Sequence, residues 1–210
     1  MSQDKPATSA VDGADIYIGI VAARYNNELV EALIKRARAT LRKARVQESS
    51  IKVLRVPGAA ELPYVVNMLA QTDEYDCIIA LGVIIAGDTQ HHEVLANSTA
   101  VALQGIALQS EVPVINGVLT VNNRAQAEER VTGAMDRGAE FANAALEMAW
   151  HRVHLGDYLE ALDAEADKQE LEAEQQQMEA GSFPGFSDDA DDDDDDEDEF
   201  GDGRSPFHKN

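Results

Sequence analysis

Four short, nearly unbroken apolar runs, each followed by a stretch with helical spacing, constrain the fold of this chain more than any other feature. They are Asp15-Ile-Tyr-Ile-Gly-Ile-Val-Ala22, Ile51-Lys-Val-Leu-Arg-Val56, Cys77-Ile-Ile-Ala-Leu-Gly-Val-Ile-Ile85 and Val112-Pro-Val-Ile-Asn-Gly-Val-Leu119. A strand that is apolar along its whole length is covered on both faces, which is the habit of parallel sheets. Pro113 stands at the start of its run, where a missing donor matters least. Between the runs, Leu29, Leu33, Ala37 and Leu41 mark a helix over 28–44, with Asn26 or Asn27 as its N-cap. Residues 60–70 read as a short helix with Pro63 near its start. Residues 90–108 read as a third, with Val94, Val101, Leu103, Ile106 and Leu108 as apolar positions, and 124–131 and 138–177 as two more. The alternation predicts an α/β three-layer sandwich: a central four-stranded parallel sheet with helices on both faces.

Charge divides the chain. The net charge is −22 over 210 residues, but residues 157–210 hold 21 acidic and 3 basic side chains, whereas 1–156 hold 18 and 14. The folded part is thus nearly balanced and the acidity belongs to an appendage. We expect a flexible leader over 1–14, one domain over 15–156, and an acidic extension over 157–210 that is helical to about residue 178. Leu155, Leu159, Leu162 and Ala166 continue a helical stripe into that extension. Gly181-Ser-Phe-Pro-Gly185 then breaks it, and the carboxylate run from Asp188 to Glu199 is expected to be disordered. No basic patch points to nucleic acid. With no apolar leader and no run long enough to span a bilayer, no membrane association is expected and the location is expected to be cytoplasmic. The single cysteine, Cys77, lies inside the third run and reads as a core hydrophobe.

Ligands of an open parallel sheet gather beyond the carboxyl ends of its strands. Each run here ends in a distinctive element: Ala23-Arg-Tyr-Asn26, Pro57-Gly-Ala-Ala-Glu61, Gly87-Asp-Thr-Gln-His-His92 and Thr120-Val-Asn-Asn123. Taken singly they admit ordinary readings. Tyr25 can be packing, Glu61 can satisfy a helix dipole, and Asp88 and Thr89 can be an N-cap as readily as a phosphate cradle. His91 and His92, adjacent on a helix, point about 100° apart and cannot share one task. Arg130 reads as a solvated charge, and His151 and His154 as surface residues of the last helix. No cysteine or carboxylate stands at metal-ligand spacing from the histidines, so no metal is expected.

Jointly the motifs go further. Ala23-Arg-Tyr-Asn26, Val56-Pro-Gly-Ala-Ala-Glu-Leu-Pro63, Gly82-Val-Ile-Ile-Ala-Gly-Asp-Thr-Gln-His91, Gly117-Val-Leu-Thr120, Gln126-Ala-Glu-Glu-Arg130, Gly138-Ala-Glu140 and Ala145-Leu-Glu-Met-Ala149 occur in order. From about Ile16 to Trp150 the chain closely resembles 6,7-dimethyl-8-ribityllumazine synthase, the penultimate enzyme of riboflavin synthesis. The resemblance implies a flavodoxin-like fold and the condensation of 5-amino-6-(D-ribitylamino)uracil with 3,4-dihydroxy-2-butanone 4-phosphate, with loss of phosphate and water and without metal or cofactor. It implies that Tyr25 stacks on the pyrimidine and Glu61 accepts hydrogen bonds from the ribityl hydroxyls. Backbone groups of Ala59, Ala60, Ile84 and Ile85 read the ring edges. Asp88 and Thr89, through helix N-terminal amides, hold the phosphate with Arg130 of a neighbouring subunit, and His91 shuttles protons. Arg137 and Glu140 stand at the supporting base and acid positions.

It also implies a homo-oligomer built of pentamers, with closure into a sixty-subunit shell and association with riboflavin synthase left open. The chain departs from the family pattern at several points. Ala86 replaces an arginine, Asn116 replaces a frequent phenylalanine near the ring pocket, and Gln90 and His92 replace a small residue or proline and an aromatic. Two other readings share the fold. One is a flavin or lumazine carrier that has lost turnover, and the other is a shell-forming paralogue whose acidic tails attract cationic cargo. A sugar-phosphate isomerase is more distant, because it leaves the ribityl and pyrimidine elements unexplained.

Overall fold

The structure, a computed structural model, describes residues 11–179 and Gly181. The expectations for the first ten residues and for the carboxylate run lie outside the described residues. Two compact units are present, one ending at Asp163 and one beginning at Ala164. The first contains strands β1 (Ile18–Ala23), β2 (Ile51–Val56), β3 (Cys77–Ile85) and β4 (Val114–Val121), with helices α1 (Asn27–Lys43), α2 (Leu62–Ala70), α3 (His91–Ser110) and α4 (Arg124–Val131); α5 is helical over Arg137–Glu179. In the second unit residues 164–178 are exposed, with a Lys168–Glu172 ion pair one turn apart. Among the described residues no helix is long and apolar enough to cross a membrane.

All strand pairs are parallel and the order is β2-β1-β3-β4, the four-stranded sheet the apolar runs predict. Successive side chains of each strand enter opposite layers. Ile18, Ile20, Cys77, Ile79 and Leu81 pack with α1, α4 and α5 through Leu33, Ala37, Val131, Ala145 and Leu146. Val21, Ala23, Ile78, Ala80 and Ile84 pack with α2 and α3 through Leu62, Val66, Leu103 and Ile106. Burial on both faces explains why the strands read as continuous rather than alternating apolar runs.

Two strands differ in their bounds from the sequence reading. β1 starts at Ile18, where it first meets partners on both sides, Ile51 and Cys77. Just before it, the Asp76 carboxylate accepts the Tyr17 N–H at 2.8 Å. β4 is displaced by two residues and ends at Val121, opposite Ile85. Pro113 lies outside it, with its carbonyl accepting the Ile78 N–H at 2.9 Å. In α3 only some of the expected apolar positions are core: Leu103 and Ile106 are buried, whereas Val94, Val101 and Leu108 are exposed along one side.

Candidate functional site

The strand order reverses between β1 and β3, so the crevice between their carboxyl ends is the switch point at which such sheets bind ligands. Asn26 closes its floor. Its side-chain amide donates to the Val83 carbonyl at 2.8 Å, tying the loop after β1 to β3. The backbone of Asn26 is left-handed, with φ 53° and ψ 45°, a conformation that asparagine tolerates better than most residues. It is the N-cap residue of α1, as the sequence indicates, but its side chain makes no capping hydrogen bond. Asn27 does not cap either, because its side-chain oxygen accepts from Arg55 at 2.8 Å. Arg55 also donates to the carbonyls of Ala22 at 3.3 Å and Ala23 at 3.0 Å and pairs with Glu31. The loop carrying Tyr25 is thus held from both neighbouring strands.

Tyr25 is exposed, and its N–H donates to the Pro57 carbonyl at 3.3 Å. That contact brings the second strand tip beside the first. Gly58 donates its N–H to Glu61 Oε2 at 2.7 Å. A Cβ at Gly58 would lie 3.2 Å from both Glu61 Oε2 and a Tyr25 ring carbon, so glycine lets ring and carboxylate close in on one point. Ala59 is buried and Ala60 exposed. Thr99 of α3 donates its hydroxyl to the Ala59 carbonyl at 3.4 Å, anchoring this turn to the third helix.

The third tip is more open. Ile84 is buried and Ile85 half-buried at the end of β3, and Ala86 N–H continues the ladder to the Val121 carbonyl at 2.8 Å. Gly87, Asp88, Thr89 and His91 are exposed, and no side chain caps α3. A Cβ at Gly87 would meet nothing within 4 Å. Uncapped N–H groups at the start of a 20-residue helix form a region of positive potential suited to an anion. His91 opens α3 and faces solvent, while His92 folds back with Nδ1 3.0 Å from the Thr89 carbonyl, so the two imidazoles have separate surroundings. Among the described residues, His91 forms no hydrogen bond or ion pair with Tyr25 or Glu61, and no cluster of side chains suited to a metal occurs.

The remaining predicted residues belong to a different part of the chain. Asn116 lies in the middle of β4 opposite Ala80, four residues or roughly 13 Å along the strand from Thr120. With Thr120, Val118 and the α3 residues Glu93, Asn97 and Ala100 it lines an open groove of about 450 Å³. Sequence reasoning did not foresee this groove, although the exposed alternate positions of an edge strand are its signal. Arg130 is half-buried in α4 and donates to the Gln126 carbonyl at 3.0 Å. Arg137 pairs with Glu140 at 2.5 Å in the first turn of α5. Nearby, Arg36 of α1 pairs with Asp136 at 2.7 Å and donates to the Thr132 carbonyl at 3.1 Å, holding the α4–α5 connection. Within one chain, then, Tyr25, Ala59, Ala60, Glu61, Ile84, Ile85, Asp88, Thr89 and His91 share the strand tips. Asn116, Arg130, Arg137 and Glu140 lie on β4, α4 and the start of α5.

Over most of its length the chain is similar to known proteins. Residues 15–152 match the family profile described as 6,7-dimethyl-8-ribityllumazine synthase. Similar proteins include the 6,7-dimethyl-8-ribityllumazine synthases of Paracidovorax citrulli, 42% identical over 70% of this chain and 93% of that protein, and of Nitrosomonas europaea, 40% identical over 67% and 84%. That of Bordetella petrii is 42% identical over 68% and 79%.

Proposed function

Because the chain belongs to the 6,7-dimethyl-8-ribityllumazine synthase family, we propose that its active site is completed between two copies, one lending its strand tips and the other its β4 edge, α4 and α5. The chain is a transferase of riboflavin biosynthesis: it joins 5-amino-6-(D-ribitylamino)uracil to 3,4-dihydroxy-2-butanone 4-phosphate and releases phosphate and water. Family membership also carries homo-oligomeric assembly. We take the pentamer as the unit, with the synthase domain over 15–156 and the acidic extension as a separate appendage. The non-catalytic carrier and the shell-only paralogue are not favoured.

The observation that carries the reading is the gathering of Tyr25, Gly58 and Glu61 at one point beside the switch point. In the proposed roles, Tyr25 stacks on the pyrimidine, and Glu61 accepts from the ribityl chain while Gly58 N–H orients its carboxylate. Backbone groups of Ala59, Ala60, Ile84 and Ile85 read the ring edges. The uncapped amides of α3 with Asp88 and Thr89 hold the phosphate, and the open space above Gly87 leaves room for it. Arg130 of a second copy adds a planar, permanently charged fork. The second copy's Asn116 faces the pyrimidine, and its Arg137 and Glu140 support the phosphate side. The exposed residues Val94, Val101 and Leu108 on α3 and Tyr64 and Met68 on α2 supply apolar area for contact between copies.

His91 serves as the proton carrier. Imine formation and phosphate elimination both move protons near neutral pH, a task suited to an imidazole and worth about 10²–10⁴-fold. The larger part of the acceleration then comes from holding two substrates in one geometry. Incubation with both substrates yields the fluorescent lumazine. His91→Ala lowers kcat by about 10²-fold without abolishing turnover, and an unchanged kcat removes His91 from the mechanism. The two-copy site has its own test. His91→Ala and Arg130→Ala, dissociated together and reassembled as a mixture, regain activity because some sites draw both intact residues from different chains. A mixture no better than its parents refutes completion between copies.

A further inference from the structure

We propose that the outward ridge of α5 formed by Met148, Leu155, Tyr158, Leu159 and Leu162 is a docking surface for a basic amphipathic helix of a partner protein. Up to Ala149, α5 is fixed to the sheet through Ala142, Ala145, Leu146 and Ala149, all buried. At about 100° per residue these define one face of the helix. The ridge residues fall on a different face, roughly 130° away by the same projection. They are therefore no continuation of the core stripe. Leu155 is 57% exposed, Tyr158 59% and Leu159 58%, with Met148 and Leu162 close behind. From Leu155 to Leu162 the large apolar side chains follow 3–4 residue spacing, and Met148 adds to the same face two turns earlier, beyond His151 and Arg152. Such a row on the turned-away face has the pattern that receives another helix.

Charge selects the occupant. By the same projection Asp163 lies about 40° from the Leu159 edge of the ridge, whereas Asp157 and Glu160 lie toward the far side of the helix, and residues 157–179 together carry nine carboxylates and one lysine. Arg152, the nearest guanidinium, is engaged by Asp73 at 2.5 Å and by the Glu111 carbonyl at 3.1 Å. A second copy of the same helix would bring like charges together along its length. A helix with Lys or Arg flanking its own apolar row meets a strongly acidic segment and is steered to the surface at long range.

The test uses the full chain and three labelled synthetic peptides followed by fluorescence anisotropy. One peptide has leucines at positions i, i+3, i+4 and i+7 flanked by lysine and arginine, the second has the same composition scrambled, and the third has the leucine pattern with acidic flanks. The patterned basic peptide is expected to bind, and Leu159→Asp or Leu162→Gln to weaken it by about tenfold or more, the scale of one buried leucine. Far-UV circular dichroism checks that each variant keeps its helix, and lumazine formation is unchanged because both side chains lie outside the synthase site. Equal binding of the scrambled peptide would mean that the extension acts only as a polyanion, which overturns the proposal. Equal binding of the acidic peptide, self-association that depends on Leu159, or no binding of any peptide also overturns it.

Discussion

Asn26 combines two devices that substitution can separate. Its side chain supplies the Asn26–Val83 hydrogen bond across the switch point, and its backbone sits in the left-handed region. Removing a part-buried hydrogen bond costs about 1 kcal/mol. Holding an alanine in the left-handed region adds about 1–2 kcal/mol, a cost that glycine does not share. Asn26→Ala is therefore expected to lose about 2–3 kcal/mol and Asn26→Gly about 1 kcal/mol. Urea unfolding at one fixed protomer concentration reads these directly, since association itself shifts apparent stability. With a slope of about 2 kcal/mol per molar, the midpoint falls by roughly 1 M for alanine and by half that for glycine. The same variants are expected to raise KM for the pyrimidine, because Tyr25 rides on this loop. Coincident midpoints for alanine and glycine would refute the backbone contribution, and a wild-type midpoint for glycine would refute the tie to Val83.

Three further outcomes follow from other contacts. Gly117→Ala drives a Cβ to 2.7 Å from the Leu81 side chain and 2.8 Å from the Ala80 carbonyl. It is expected to cost about 1–3 kcal/mol, visible as a lowered Tm. Asn123 accepts the Gln126 N–H at 3.0 Å at the start of α4, so Asn123→Ala is expected to lose about 1 kcal/mol in the same measurement. Burial pushes the Cys77 thiol well above its ordinary pKa. The native protein should therefore resist a disulfide thiol reagent at pH 8 and react with one equivalent per chain on unfolding, and prompt native reaction would refute its burial.

The sheet was legible because its physics is local. β2, β3 and α4 take the bounds that their apolar runs and spacing indicate. The errors arise where a partner decides. Residues 15–17 carry the pattern of a strand, but Asp76 rather than a neighbouring strand takes the Tyr17 N–H. Asn26 has the composition of a cap, but its side chain is used as a bridge, because Val83 lies opposite it only once β1 and β3 are adjacent. The strand-tip half of the candidate site could be read from the rule that ligands gather beyond parallel strands. The positions of Asn116, Arg130 and Arg137 away from those tips could not, since periodicity records which residues are exposed and not which surface meets them. Val94, Val101 and Leu108 illustrate the point: their spacing is that of a buried stripe, yet within one chain they face outward.

The unequal anchoring of the strand tips has a consequence for turnover. Arg55 on one side and Asn26 on the other clamp the loop that bears Tyr25, so the wall proposed for the pyrimidine is held in place before any ligand arrives. Residues 87–89 are exposed and lead into a helix without a side-chain cap, so the wall proposed for the phosphate has fewer fixed contacts. On the proposed roles, the site pairs one well-anchored jaw with one held by fewer contacts. On those roles the departure of inorganic phosphate, rather than binding of the ring, is the step expected to respond to changes at residues 87–89.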